Sequence, residues 1–171
     1  MPDTDGPLVR RADIGDVHEA ARLLHEFNLE FEEPTPPVSA LADRVGQLLA
    51  AGDTRILLVG TGPDGLAILR FRLALWSPGL ECYLAELYVV PHRRGEGLGR
   101  ALMEAVVTEA RDRGADSIDI GVDEPDVAAR HLYESLGFTN RVGGGSGPVM
   151  YVYELDLSGD GPPGIPGAEQ S

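Results

Sequence analysis

Lysine is absent from this sequence, and each of its 14 basic residues is an arginine. A Walker-type phosphate loop, which ends in Gly-Lys-Ser/Thr, is therefore excluded. Cysteine is almost absent too. A lone Cys82 cannot close an intrachain disulfide, and its place in an apolar stretch reads as a buried, unreactive thiol. No apolar run reaches the roughly 18 residues of a membrane span. The first residues, MPDTDGP, are acidic and polar, unlike a signal peptide. Together these absences make the cytoplasm the default address. Positive charge is scarce as well: 28 acids against 14 arginines give a formal charge of −14, which argues against nucleic acid as a partner. His18, His25, His92 and His131 show no metal-ligand spacing, so no metal is implied.

What is present describes a soluble globular chain, 43% hydrophobic and 25% charged, long enough for one domain with a full core. Residues 1–50 carry ten acids against four arginines, 51–100 five against six, 101–150 nine against four, and the remainder four against none. Only the second block is not acidic. That block is where an anionic ligand would find a favourable field.

The periodicities give a first strand over 8–12, a helix capped by Asp13 that fades near Phe31, and a proline break at 34–37. A second helix follows from Ser39 to Gly52. Strands are predicted at 55–60 and 66–75, joined by a hairpin turn, and at 81–90. A helix over 98–113 then crosses to a strand at 117–122, which should lie parallel to 81–90. A helix over 126–136 and an alternating strand over 149–157 complete the domain. Residues 158–171 are too poor in apolar side chains to pack and are expected to be disordered.

The organising stretch is 83–100, YLAELYVVPHRRGEGLGR. An apolar strand stops at Pro91, a glycine turn follows, and a helix begins. Glycines let backbone N–H groups approach phosphate oxygens, and the helix start adds unpaired donors and a positive dipole end. Gly95, Gly97 and Gly99 supply G-x-G, but the third glycine of a dinucleotide loop would fall at Leu102. The pattern that remains is R-x-x-G-x-G from Arg94. It resembles the acetyl-CoA loop of the GCN5-related N-acetyltransferases (GNAT). L-Y-V-x-P immediately upstream and A-A-R-H-L-Y-E-S-L-G-F at 128–138 are similar to that family's flanking segments.

The resemblance implies an α/β (α+β) fold over residues 1–157. Its sheet would be mixed, mostly antiparallel, of six to seven strands, splayed between strands 4 and 5 and flanked by about four helices. It implies acetyl-CoA as acyl donor. The pantetheine arm would lie against the backbone of Leu87, Tyr88 and Val89, with a backbone N–H near Val89 as oxyanion donor. The pyrophosphate would sit on Arg94, Gly95, Glu96, Gly97, Leu98, Gly99 and Arg100. Tyr133 stands where the family often places the acid that protonates the departing thiolate, with a structural tyrosine as the alternative. Asp126 stands where the family usually has asparagine. It can cap the helix, but a negative charge there puts a contact with the cofactor in doubt. Glu86 occupies the place of a general base, or else of a substrate contact or an ion pair.

The helix-loop-helix at 14–52 would roof the acceptor site. Phe31, Glu32 and Glu33, with Glu30 and Glu86, would favour a small cationic amine such as a polyamine, an aminoglycoside or an amino-acid derivative. A protein N-terminus or lysine as acceptor, and a non-catalytic acyl-CoA-binding sensor, are the alternative readings. Monomer and homodimer are both open.

Overall fold

A computed structural model of the chain describes residues 6–158, and these fall into two compact units that meet between Val122 and Asp123 in the sequence. The first unit holds a sheet of five strands in the order β1 (Val9–Arg11), β2 (Thr54–Val59), β3 (Gly65–Leu73), β4 (Leu80–Val89) and β5 (Ala115–Ile120). The first four pair antiparallel. β4 and β5 pair parallel, as the intervening helix requires.

Helices α1 (Val17–Glu30) and α2 (Val38–Ala51) lie on one face of the sheet. α3 (Leu98–Asp112) packs across β2 and β3 on the other. Asp13 opens the first of these through a capping box with Asp16, around a single 3-10 turn, and Gly52 ends α2 in the left-handed region at φ 81°. The α1/α2 face buries Ala20, Leu23 and Val45 against Ile56, Leu58, Leu66, Ile68 and Tyr88. Full burial of a side chain such as Leu23 contributes roughly 1.5–3 kcal/mol. Leu57, Leu69, Phe71, Cys82 and Leu84 fill the opposite layer with Leu102, Met103 and Val106 of α3. Cys82 is fully enclosed, and burial pushes its thiol up to about 11.

That second layer also contains a charge. Glu109 is 5% exposed and accepts from Arg11 Nε at 2.7 Å, with Arg55 Nε 3.6 Å away. The pair pins α3 to the β1–β2 edge.

β4 carries the feature that positions the site. Ile68 opposes Glu86 while Leu69 opposes Leu84, so Ala85 is an extra residue, a β-bulge. Directly opposed residues share a face. Cys82 and Leu84 therefore point to the α3 layer, whereas Glu86 and Tyr88, opposite Ile68 and Leu66, point to the α1/α2 layer. Simple alternation puts Glu86 on the same face as Leu84, and the bulge overturns that.

The parallel ladder with β5 ends at Leu84–Ile120, although β4 runs on to Val89. The expected splay between strands 4 and 5 is thus present. At the other edge of this half of β4, Gly65 opposes Val89 so closely that a Cβ on it would lie 2.7 Å from the Tyr88 carbonyl oxygen.

The second unit contains α4 (Val127–Ser135) and the segment after it. The strand expected over 149–157 does not form. A ladder needs a partner, and among the described residues Arg141 supplies one bridge to Val149, leaving Tyr151, Val152 and Tyr153 at 74%, 84% and 90% exposure. The sheet accordingly has five strands rather than six to seven. Residues 159–171 of the expected tail lie outside the described residues. No helix among the described residues is long and apolar enough to cross a membrane.

Arg11 and Arg55 can both turn to water when their partner is removed, so the loss of Glu109 strands no buried charge. Glu109→Ala is expected to lower the unfolding free energy by roughly 1–3 kcal/mol in urea denaturation. An unchanged midpoint would show that the pair contributes nothing.

Candidate active site

The open half of β4 leads directly into the glycine turn. Pro91–Arg93 make a short 3-10 turn, then Gly95 and Gly97 adopt φ 82° and 84°, and α3 starts at Leu98. A side chain at either glycine would be strained in this left-handed conformation, while the space a Cβ would enter is empty within 4 Å. Gly97 is the N-cap of α3, no side chain caps the helix, and no acid lies in its first turn. The amides of the first turn therefore present donors and a positive end with no competing carboxylate on their own helix. This cradle adjoins the edge of β4 past Leu84, which has no strand partner among the described residues. Gly95, Glu96, Gly97, Leu98, Gly99 and Arg100 form it in one continuous run, and Leu87, Tyr88 and Val89 form the adjoining strand edge.

The loop's arginines are turned to carboxylates. Arg93 donates to Asp64 at 2.9 Å and to Glu96 at 2.7 Å. Arg94 donates from Nε to the Val89 carbonyl at 3.0 Å, and from both terminal nitrogens to Glu30, at 2.7 and 2.8 Å. Its guanidinium lies 5.7 Å from the centre of the Tyr88 ring. Sequence reasoning missed this pair, because nothing in the local pattern links residues 64 positions apart.

α1 carries the residues that the sequence reading expected on the acceptor side. The Phe27 ring lies tilted against that of Phe31, with centres 4.9 Å apart, and meets Tyr88 edge-on at 5.5 Å. Glu86 is partly buried below this roof, and burial raises its carboxyl above the ordinary range. Glu30 is shifted the other way, chiefly by its bonds to Arg94. Glu32 and Glu33 are exposed at the end of α1, with Glu32 in the left-handed region at φ 56°. The structure thus brings Glu86, Tyr88, Phe31, Arg94 and the glycine turn to one end of β4, while Glu32 and Glu33 stand in solvent.

Within the second unit, Asp126 caps α4 by accepting from the Ala129 amide at 3.0 Å. Tyr133 is 8% exposed, its ring 6.1 Å from Phe138. Burial, helped by the charge of Asp126, pushes its hydroxyl up to about 12.

A groove of about 360 Å³ between β1 and α3, lined by Val9, Arg11, Leu57 and Glu109 among others, lies on the face away from Glu86. Its arginine and acid already satisfy one another.

The family model described as "Acetyltransferase (GNAT) family" matches residues 17–138. A mycothiol acetyltransferase from Thermobispora bispora is 39% identical over 137 residues, which are 77% of this chain and 41% of that protein. The chain thus spans about two fifths of that relative's length. A thialysine N-epsilon-acetyltransferase from Bos taurus is 27% identical over 142 residues, covering 76% of this chain and 82% of that one. Among solved structures, a crystal structure from Arthrobacter sp. FB24 whose assignment is to the acetyltransferases is 44% identical, with a TM-score of 0.79 over 90% of this chain and 97% of that one.

The raised carboxyl of Glu86 has a kinetic signature. If Glu86 must be ionised to act, the acid limb of the kcat/KM profile should lie above the ordinary carboxylate value of about 4.3, and Glu86→Gln should abolish that limb. A limb that persists unmoved in Glu86→Gln would assign the titration to another group.

Proposed function

The chain belongs to the GNAT acetyltransferase family, and from that premise we propose that it transfers an acetyl group from acetyl-CoA to a primary amine by direct attack in a ternary complex. The observation that carries the proposal is the half-open β4 running straight into an uncapped glycine turn, with a carboxyl of raised pKa on the acceptor side of the same strand. The thioester supplies an activated acyl carbonyl and a good leaving group.

In this reading the amides of Gly95 to Arg100 bind the pyrophosphate, and the edge of Leu87 to Val89 orients the pantetheine. An alkylamine with a pKa near 10 arrives protonated. Glu86 accepts its proton, directly or through water, and burial makes this carboxylate a stronger base than an exposed one. The freed nitrogen attacks the carbonyl carbon, and a backbone N–H near Val89 stabilises the oxyanion. The C–S bond breaks, the Tyr133 hydroxyl, in the role that the family resemblance gives it, passes its proton to the sulfur, and the second proton shed by the nitrogen as the amide forms restores the phenol. Asp126 acts as the helix cap that sets the start of α4 rather than as a contact to the donor.

The acceptor we propose is a small cationic amine of amino-acid-like size. Glu86 provides a partly buried negative charge, Phe27 and Phe31 narrow the site, and Glu32 and Glu33 contribute a long-range field. The name of the Bos taurus relative, a thialysine acetyltransferase, supports this class.

A thiol-release assay with acetyl-CoA across amines, amino acids, aminoglycosides and peptides tests the reading. A cationic small amine should be the best acceptor, and Tyr133→Phe should lower kcat roughly 10²-fold with little change in KM. A neutral or anionic best acceptor would overturn the substrate class. No thiol release with any acceptor, or normal turnover in Tyr133→Phe, would overturn the activity or the role of Tyr133 respectively.

A further inference from the structure

We infer that Glu30 and Arg94 form a clamp that holds the roof of the acceptor site onto the end of β4, so that Glu30 is a positioning residue rather than a contact for the acceptor amine. The clamp joins three parts of the first unit. Arg94 belongs to the glycine turn, its Nε fastens to the Val89 carbonyl at the end of β4, and its two terminal nitrogens grip both oxygens of Glu30, the last residue of α1. A bidentate guanidinium–carboxylate pair fixes direction as well as distance. The guanidinium also lies over Tyr88, whose ring meets Phe27 one turn before Phe31.

Two consequences for specificity follow. Glu30 has both oxygens committed to an internal cation, and that cation occupies one face of Tyr88. An acceptor amine therefore finds its carboxylate partner at Glu86. Glu30 acts on the acceptor through the shape of the roof, at Phe27, Phe31 and the 31–37 loop. The turn that would cradle phosphate and the helix that would cover the amine are linked by one ion pair.

The substrate side of this inference rests on the proposed acetyl transfer, whereas its mechanical side does not. A mutant cycle over Glu30→Gln, Arg94→Gln and the double variant separates clamp from direct contact. If the pair is a clamp, each single change raises the acceptor KM by a similar factor, roughly three- to ten-fold, and the double change raises it no further. Arg94→Lys, which keeps the charge but loses the fork, should resemble Arg94→Gln. If Glu30 instead binds the amine directly, Arg94→Gln would leave KM unchanged or lower it, and the clamp is wrong.

Amide hydrogen exchange on the ligand-free protein gives an answer that needs no substrate. Glu30→Gln should speed exchange both at 31–37 and at 94–97, in elements far apart in sequence. Faster exchange at 31–37 alone, or at neither, would overturn the clamp whatever the enzyme assay shows. An absence of thiol release with coupled exchange would instead overturn the proposed activity and leave the clamp standing.

Discussion

One extra residue in β4 determines what the end of this strand can do. With Ala85 inserted, Glu86 and Tyr88 face α1 and α2, while Cys82 and Leu84 on the same strand face α3. A regular strand would carry its carboxyl into the α3 layer or leave Tyr88 without its aromatic neighbours, because a shift of one residue turns every side chain to the other face. The bulge also lies where β4 loses β5, just after Leu84. Past that point the strand has side chains directed to one helical layer and a backbone edge with no ladder, a combination that suits binding rather than structure.

The rest of the first unit supports that geometry. Gly65 admits the Tyr88 carbonyl to a distance no side chain would permit, which keeps β3 tight against β4 where β5 has left it. Glu109, with Arg11 and Arg55, fastens α3 to the far edge of the sheet, and α3 is the helix that starts at the glycine turn. At the other end of α1, Asp13 and Asp16 fix its entry, with Asp16 held down to about 2 by Arg10 and the Asp13 backbone. The acid is thus charged throughout the neutral range, and its contribution to stability is lost only as the pH falls below the ordinary carboxylate pKa toward 2.

Much of this was legible in the residues. Hydrophobic spacing located the four α-helices of the described residues, and the glycine turn between an apolar strand and a helix was equally legible, because these signals are local. Two features were invisible for physical reasons. Ala85 carries no signature of a bulge, since the extra residue is defined only by how β3 pairs with β4. The Arg94–Glu30 pair depends on where α1 ends relative to β4, so the sequence placed Arg94 among the cofactor-binding residues and Glu30 only in the acidic field of the acceptor site. Alternation at 149–157 misled in the opposite sense, because an alternating pattern becomes a strand only where a ladder receives it. Glu109 could have been noticed: it lies on the same helical stripe as Leu102 and Val106, where an acid requires a buried partner.

The central claim is that the open half of β4 and the turn after it bind one ligand of amide and phosphate character. Amide hydrogen exchange with and without acetyl-CoA tests it most directly. The account predicts added protection at Leu87 to Val89 and at Gly97 to Arg100, with β1 and β2 unchanged. Binding of acetyl-CoA that left both of these stretches unprotected would contradict it.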